Sequence, residues 1–173
     1  LGGKGLGSHL LLKMLPPGID PLSPQNKLIF TTGPATDTVL APASRYGVFS
    51  KSPLTGAYAE SYSGGHVAPM MKRTGYDAIV ITGKASKPCF IHIAPEGVNF
   101  YDASGIWGQD CYQAEEAVLQ AVGLKNAQAM VIGPAGERQI AFACISNNRW
   151  RCAGRAGLGA VMGSKNLKGI VFS

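Results

Sequence analysis

The residues with the clearest chemical potential lie near the carboxyl end of the chain, where two arginines alternate with glycines. They are Arg151 and Arg155, within the run RCAGRAGLG over residues 151–159. Because glycine has no side chain, the backbone N–H groups of such a run can approach a ligand closely and form a nest for an anion. The planar guanidinium group of arginine matches phosphate oxygens or stacks on a flat heterocycle. The run therefore predicts a site for a ligand with both features, and a turn with surface arginines is the alternative.

The positive charge of the chain is concentrated in the same region. The net charge of +6 comes from 16 Lys and Arg residues against 10 Asp and Glu residues. Residues 1–137 hold ten of each sign, so the whole excess lies in residues 138–173. A local excess beside glycines indicates an anionic ligand, and a solvated basic face is the alternative. The six basic residues are Arg138, Arg149, Arg151, Arg155, Lys165 and Lys168.

Two other glycine clusters are candidates for close backbone approach to a ligand. The run GGKGLG over residues 2–7 is similar to a dinucleotide-binding fingerprint, but no strand precedes it and Asp20 follows two prolines. Both features argue against a Rossmann interpretation. The other cluster is Ser63-Gly64-Gly65, which predicts a turn.

A weak internal sequence repeat relates the two halves of the chain. Gly-Pro-Ala occurs at residues 33–35 and again at 133–135, each time after an apolar run. Arginines follow in both cases, and then a Ser-Lys pair, at Ser50-Lys51 and at Ser164-Lys165. A duplicated unit with two similar anion sites would produce this pattern, and so would chance in a chain rich in glycine and proline.

Side chains for acid–base or nucleophilic catalysis are sparse. His9, His66 and His92 are scattered, and Glu115 and Glu116 are predicted to be solvated on the surface of a helix. We therefore assign no catalytic residue and interpret the chain as a binding platform. The cysteines are widely spaced, which predicts free thiols rather than a disulfide framework or a metal cluster. They are Cys89, Cys111, Cys144 and Cys152.

Composition and hydrophobic patterning predict one α+β domain of mixed sheets with a few short helices. With 46% hydrophobic and 15% charged residues the chain has enough apolar surface for a core, and no apolar run is long enough to cross a membrane. The chain opens without Met, and we interpret it as one domain, residues 1–173, of a longer protein. The helices are predicted at 6–15, 67–74, 112–122 with a cap at Asp110, and after Arg155, and the strands at 27–32, 46–51, 57–62, 77–82, 89–94, 98–101, 129–132, 140–145 and 168–172.

Several longer motifs run through nearly the whole chain in order. They are DPLSP at 20–24, GYDAIV at 75–80, IGPAGE at 132–137 and AGRAGLGAVMGSKNLK at 153–168. Together these motifs resemble the N-terminal domain of the tungsten-containing aldehyde:ferredoxin oxidoreductases. The resemblance implies two related mixed sheets that form a base for a bis-pterin tungsten cofactor, the tungstopterin. It also implies that the family's first strands and its C-terminal domains lie outside this chain.

The resemblance assigns roles to eight residues of this sequence. Arg45 is similar to the arginine that lies between pterin and cluster in the family. Tyr62 and Cys152 fall where the family offers backbone carbonyls to a magnesium ion that bridges the pterin phosphates, although other side chains are usual there. The residues at pterin- and phosphate-contacting positions are Gly64, Gly65, Arg151, Gly154 and Arg155.

The resemblance also implies an activity. Family members oxidise an aldehyde to a carboxylic acid and pass electrons through a [4Fe-4S] cluster, held by the C-terminal domains, to ferredoxin. We expect a cytoplasmic protein that forms a homo-oligomer and contacts neither membrane nor nucleic acid. One alternative is a member of the same superfamily that acts on another substrate, such as an aromatic acyl-CoA in ring reduction. A basic nucleic-acid-binding module is the other, but Trp150 is the one aromatic residue among the basic residues of 149–168.

Overall fold

The protein is described by a computed structural model that covers residues 2–40 and 43–173. Two β-sheets and five short helices make up the described chain, which confirms the predicted α+β class. The helices are α1 (Gly3–Met14), α2 (Val67–Arg73), α3 (Cys111–Val122), α4 (Pro134–Glu137) and α5 (Leu158–Ser164). The strands are β1 (Leu28–Thr32), β2 (Tyr46–Lys51), β3 (Tyr58–Ser63), β4 (Ala78–Ile81), β5 (Cys89–Ala94), β6 (Gly97–Asp102), β7 (Gln128–Val131), β8 (Ile145–Asn147), β9 (Arg151–Ala153) and β10 (Leu167–Phe172).

The first sheet has four antiparallel strands in the order β3-β2-β1-β4, so β3 is an edge strand. Every residue of β1 is buried, as expected for a central strand covered on both faces. Helix α1 packs against this sheet where Gly7 meets the ring of Phe49, and a Cβ atom on Gly7 would lie 2.3 Å from that ring. The first glycine cluster is therefore the start of a helix that approaches a sheet closely, three residues before the predicted start at residue 6.

The second sheet has six strands in the order β6-β5-β10-β7-β8-β9, with β9 at its edge. Strands β5 and β6, both predicted from the sequence, form a hairpin, and β10 runs parallel to β5 but antiparallel to β7. Helix α3 covers one face of this sheet and packs Val118 into a small core with Phe90 and Val171. The carboxylate of Asp110 caps α3 by accepting hydrogen bonds from the N–H groups of Tyr112 and Gln113, as predicted.

The main hydrophobic core lies between the two sheets. It contains residues of β1 and β2 from the first sheet, such as Phe30 and Val48. Residues of β5, β7 and β10 from the second sheet, such as Phe172, pack against them. Helices α2 and α5 add Met71 and Val161 to the same core. The edge strands β3 and β9 meet beside this core, so the packing of the sheets determines where the two edges come together.

Two of the six basic residues near the carboxyl end are buried, contrary to the prediction of one cationic region. Lys168 is fully buried and forms an ion pair with the buried carboxylate of Glu137. Lys165 is 3% exposed and donates hydrogen bonds to the carbonyl oxygens of Asn26 at 2.7 Å and Gly83 at 3.2 Å. Protein oxygens satisfy both ammonium groups in the interior, as buried charges require, so these lysines do not add to an exposed cationic region.

The strand expected over residues 140–145 is wrong for most of its length. Residues 140–144 form turns, and strand pairing begins only at Ile145. The carbonyl oxygen of Ala143 accepts a hydrogen bond from the N–H group of Gly159, which directs this segment toward α5 instead of a neighbouring strand. Strand β9 was not predicted from the sequence. Its first two residues are both exposed, so it lacks the alternation of exposed and buried residues that indicates a strand.

The repeated Gly-Pro-Ala segments share local structure, but the Ser-Lys pairs do not. Each Gly-Pro-Ala follows a strand and closes a turn. The N–H group of Thr36 donates to the carbonyl oxygen of Gly33 in the first turn, and that of Gly136 donates to the carbonyl oxygen of Gly133 in the second. The first Ser-Lys pair ends strand β2, whereas Ser164 ends helix α5. Duplication remains a prediction.

No helix within the described ranges has both the length and the apolar character needed to cross a membrane.

Candidate functional site

A cleft of about 570 Å³ lies where the edges of the two sheets meet. Strand β3 forms one wall, and β9 with the residues that follow it forms the other. Five of the eight residues predicted from the sequence to contact a cofactor line this cleft, although they come from distant parts of the chain. The lining residues are Arg45, Glu60, Ser61, Tyr62, Cys152, Gly154 and Arg155.

Two hydrogen bonds join the walls of the cleft across the sheet edges. The N–H group of Arg155 donates to the hydroxyl of Ser61 at 3.1 Å, and the hydroxyl of Ser52 donates to the carbonyl oxygen of Ala156 at 2.8 Å. Both serines belong to the first sheet or its adjoining turn, and both partners follow β9. The backbone of the glycine-rich run is therefore fixed while its arginine side chain is left exposed.

Arg45 and Arg155 provide the positive charge of the cleft. Both side chains are exposed, and neither guanidinium group forms a hydrogen bond or an ion pair with any residue in 2–40 or 43–173. Arginine has five N–H donors and stays charged at any physiological pH. The two side chains are thus available to an anionic ligand.

Gly154 leaves room for a ligand in the cleft wall. A Cβ atom at this position would meet no protein atom closer than 3.8 Å, the Cβ atom of Cys152. The fold itself therefore does not require glycine at residue 154. A side chain there would instead extend into the cleft, which is the place where a ligand needs close access to the backbone.

Arg151 and the glycines of the Ser63–Gly65 turn lie next to the cleft and pack on each other. A Cβ atom on Gly64 would lie 3.2 Å from Nη1 of Arg151, and one on Gly65 would lie 2.9 Å from its Cδ atom. Gly65 also has a φ angle of 98°, in the region that favours glycine. Glycine is therefore required at Gly65 by both packing and backbone geometry.

Glu60 gives the cleft an anionic group that sequence reasoning did not identify. Its carboxylate accepts hydrogen bonds from Lys4 at 2.8 Å, Tyr58 at 2.8 Å and Tyr62 at 3.3 Å. The hydrogen bond from Lys4 lowers the pKa of Glu60, and burial raises the pKa of Tyr62 to about 12. An ionised carboxylate thus holds a protonated phenol at the rim. The sequence signal was Tyr58-x-Glu60-x-Tyr62, since alternate residues of a strand share one face.

Backbone carbonyl oxygens are candidate metal ligands in the cleft, beside the carboxylate of Glu60. Within the described residues no three His, Cys, Asp or Glu side chains are grouped closely enough to hold a metal ion. Tyr62 and Cys152 stand on opposite walls, so their carbonyl groups belong to different sheets. A magnesium ion prefers oxygen ligands and retains several water molecules, so it does not need a cluster of side chains.

Three of the four cysteines line a second pocket, of about 340 Å³, that shares Cys152 with the cleft. The hydroxyl of Ser146 lies 3.5 Å from the sulfur atom of Cys152 and 3.9 Å from that of Cys144. Burial raises the pKa of the Cys144 thiol. All four cysteines are free, in agreement with the sequence prediction.

Glu115 is buried, contrary to expectation, and its carboxylate accepts hydrogen bonds from the N–H groups of Asn148 and Arg149. His92 is a buried residue of β5, and its Nε2 atom lies 2.9 Å from the hydroxyl of Ser173. Glu115 was misread because its partners are two backbone amides 33 and 34 residues away.

Comparison with known proteins identifies the class to which this fold and cleft belong. The family model described as aldehyde ferredoxin oxidoreductase, N-terminal domain, matches residues 1–173. The chain therefore belongs to the aldehyde ferredoxin oxidoreductase family and is an N-terminal domain of that family. The resemblance noted in the motifs is thereby confirmed.

Individual relatives agree with this assignment. The chain is 50% identical over 171 residues to a tungsten-containing aldehyde ferredoxin oxidoreductase of Pyrococcus abyssi, covering 99% of this chain and 28% of that protein. It is 35% identical over 185 residues to the WOR-like subunit of an aliphatic sulfonate oxidoreductase of Pyrococcus furiosus, covering 98% of this chain and 29% of that protein. The chain thus spans little more than a quarter of these relatives.

A solved structure shows the same fold at 36% identity. It is the active site complex BamBC of benzoyl coenzyme A reductase in complex with 1,5-dienoyl-CoA, with a TM-score of 0.95 over 99% of this chain and 26% of that chain. The two-sheet architecture is therefore shared between family members named for different substrates.

Proposed function

We propose that this chain is the domain on which a bis-pterin tungsten cofactor rests in an enzyme that oxidises aldehydes. The observation that carries the proposal is the cleft between the sheet edges, where Arg45 and Arg155 are both free of protein partners and Gly154 leaves the wall open. Relatives that are about 50% identical to nearly the whole chain are named as tungsten-containing enzymes.

The residues of the cleft fit a ligand that carries phosphate groups. Two guanidinium groups supply charge and paired N–H donors, which are the groups that bind phosphate most strongly in proteins. The glycine at residue 154 permits close approach, and the volume of about 570 Å³ lies within the range of cofactor sites. When bound, a tungsten–pterin group supplies the redox chemistry, and the protein supplies binding and orientation.

Separate roles follow for the residues of the cleft. Arg155 would bind a phosphate group, Arg45 would lie between pterin and cluster, and Gly154 would leave space for the ligand. The backbone carbonyl groups of Tyr62 and Cys152 would coordinate a magnesium ion between the phosphates, because Mg²⁺ is a hard cation that selects oxygen. The positive charge of such an ion would also reduce the repulsion between the phosphates and the carboxylate of Glu60.

Arg151, Gly64 and Gly65 would contribute from the side of the cleft. The Arg151 side chain lies across the glycine turn, with Nη1 3.2 Å from the position of a Gly64 Cβ atom. Its charge therefore lies next to the backbone of the turn. A phosphate or the edge of a pterin ring would contact both the guanidinium group and this backbone.

The reaction of the whole protein extends this proposal. An aldehyde and one water molecule would give a carboxylic acid, two protons and two electrons. The electrons would pass through a [4Fe-4S] cluster to ferredoxin. The cluster ligands and substrate residues would belong to C-terminal domains outside this chain, and we expect the protein to be a cytoplasmic homo-oligomer. Within the described residues the free cysteines provide no cluster-binding group.

A second substrate class has specific support. The benzoyl coenzyme A reductase complex has the same domain fold, and an aliphatic sulfonate oxidoreductase subunit is also a relative. Ring reduction of an aromatic acyl-CoA would use the same cleft with different substrate domains. Assays of the full-length protein with aldehydes and with aromatic acyl-CoA thioesters would discriminate between the two.

Metal and pterin analysis of the full-length protein tests the proposal directly. We expect one tungsten atom and two pterins per chain for a bis-pterin site. A folded protein that is purified repeatedly without tungsten, molybdenum or pterin would refute it. Salt-sensitive binding of the same protein to RNA or DNA would instead support a nucleic-acid-binding module.

A further inference from the structure

The junction of the two sheets contains one fully buried asparagine, Asn147, at the end of strand β8. Its Oδ1 atom accepts hydrogen bonds from the phenol of Tyr46 at 2.9 Å and the hydroxyl of Ser63 at 2.7 Å. Its Nδ2 atom donates to the carbonyl oxygen of Gly64 at 2.9 Å and to Oδ1 of Asn148 at 3.1 Å. All partners except Asn148 belong to the first sheet or the turn after it.

The next residue continues the same network. Oδ1 of Asn148 accepts a hydrogen bond from the N–H group of His66 at 2.8 Å, and Nδ2 donates to Gln128 at 2.8 Å. Asn148 has a φ angle of 47°, a left-handed conformation that asparagine tolerates better than most residues. The two asparagines therefore bind both ends of the Gly64–Gly65 segment.

Helix α3 holds the asparagine-bearing turn in place. The buried carboxylate of Glu115 accepts the N–H groups of Asn148 at 2.8 Å and Arg149 at 3.0 Å. Both of these residues have positive φ angles, so the carboxylate stabilises a turn that would otherwise be strained. Helix α3, which packs on the second sheet, thus holds the turn that carries the asparagines.

The fit of the glycine turn against these side chains is tight. A Cβ atom on Gly65 would lie 2.4 Å from Oδ1 of Asn148 and 3.2 Å from Nδ2 of Asn147. The side chains therefore occupy the space that any larger residue would need. Tyr62, which lines the cleft, lies two residues before Gly64 on the same segment.

We propose that Asn147 and Asn148 are positioning residues for the cofactor cleft, because they fix the Ser63–His66 turn across the sheet junction. This inference rests on the proposed function. Neither asparagine lines the cleft, so they act through the turn and not on the ligand. Burial raises the pKa of Tyr46, so its phenol stays protonated as a donor to Asn147. Only a side chain with an acceptor and a donor, such as an amide, satisfies all four neighbours of Asn147.

The test substitutes Asn147→Asp in the full-length protein, with Asn26→Asp as a matched control. Aspartate has the same shape but replaces the N–H donors that face the Gly64 carbonyl with an oxygen. Asn26 is also fully buried and its amide donates to two carbonyls, those of Pro21 at 2.6 Å and Lys51 at 3.1 Å, but neither partner belongs to the Ser63–His66 turn. Both variants lose a comparable set of buried hydrogen bonds.

Hydrogen exchange and pterin content are measured in both variants, at a temperature well below their unfolding midpoints. Hydrogen exchange at the amide of His66 is expected to be about fivefold or more faster in Asn147→Asp, because its acceptor Asn148 loses the hydrogen bond from Asn147 and one net hydrogen bond corresponds to that factor. Pterin content per chain is expected to fall in Asn147→Asp and to stay at the parental level in Asn26→Asp. Equal pterin content in the two variants would overturn the positioning role.

A milder variant covers the case in which Asn147→Asp does not fold. Asn148→Gly keeps the left-handed backbone but removes the acceptor for the N–H group of His66. Faster exchange at His66 with reduced pterin content supports the proposal, and unchanged exchange at His66 overturns it. A parent protein without pterin would refute the proposed function, and the exchange measurement would still decide whether the asparagines fix the turn.

Discussion

Substitution of Arg155 by alanine separates a role in ligand binding from a role in the fold. The guanidinium group is exposed and has no hydrogen-bonding or ionic partner in the described ranges. The contact with Ser61 comes from the backbone N–H group, which alanine retains. We therefore expect the free energy of unfolding to change by less than about 0.5 kcal/mol, as for other exposed positions.

The effect on the cofactor is expected to be much larger. A charge-assisted hydrogen bond to a phosphate contributes about 1.5–3 kcal/mol, so its loss would weaken binding roughly 10- to 150-fold. The assay is pterin and tungsten content per chain after purification in a dilution series, together with thermal unfolding of the same samples. Arg138→Ala is the matched control, because Arg138 is exposed and does not line the cleft.

The result that would refute this reasoning is specific. If Arg155→Ala and Arg138→Ala retain equal cofactor on dilution, Arg155 has no role as a phosphate partner. If the unfolding free energy falls by several kcal/mol while cofactor content per folded chain is unchanged, the side chain stabilises the fold instead.

Three further predictions concern the cleft wall and the buried lysines. Gly154→Val is expected to fold normally, since a Cβ atom there meets no atom within 3.8 Å, but to lose cofactor; normal tungsten content would remove the argument for close approach. Glu137→Ala leaves the buried Lys168 ammonium group unpaired and is expected to cost about 3–5 kcal/mol in denaturant unfolding, and a cost near zero would contradict the buried ion pair. Burial lowers the pKa of Lys165 to about 8, below its unfolded value of 10.5, so the unfolded chain binds more protons between these values and stability rises with pH. The unfolding free energy of the parent minus that of Lys165→Met is therefore expected to increase from pH 8 to 10.5, and a constant difference would show that Lys165 titrates normally.

The candidate site was predictable to the extent that its residues carry a local signal. Arg45, Gly154 and Arg155 were identified from the family motifs, and the structure places them on one cleft. Glu60 was missed because a single carboxylate in a strand is usually solvated. Its role depends on Lys4, which lies 56 residues away on another element.

The buried polar groups also could not be predicted from neighbouring residues. Lys165 and Lys168 were counted with the exposed arginines, since nothing in their neighbouring residues distinguishes a buried lysine from a solvated one. Asn147 gave no signal at all, because its partners Tyr46, Ser63 and Gly64 lie between 83 and 101 residues away. Partners at such separations are chosen by sheet packing.

The sequence by itself determined the class of the fold, most of its strands and helices, the family, and the arginine and glycine residues that line the cleft. Periodicity, capping and turn chemistry are local, and they are written in neighbouring residues. Only the tertiary structure decided that the edge strands β3 and β9 meet, which charges are buried, and that asparagines from one sheet fix the glycine turn of the other. These features depend on how two sheets pack around a common core, and no short stretch of the chain contains that information.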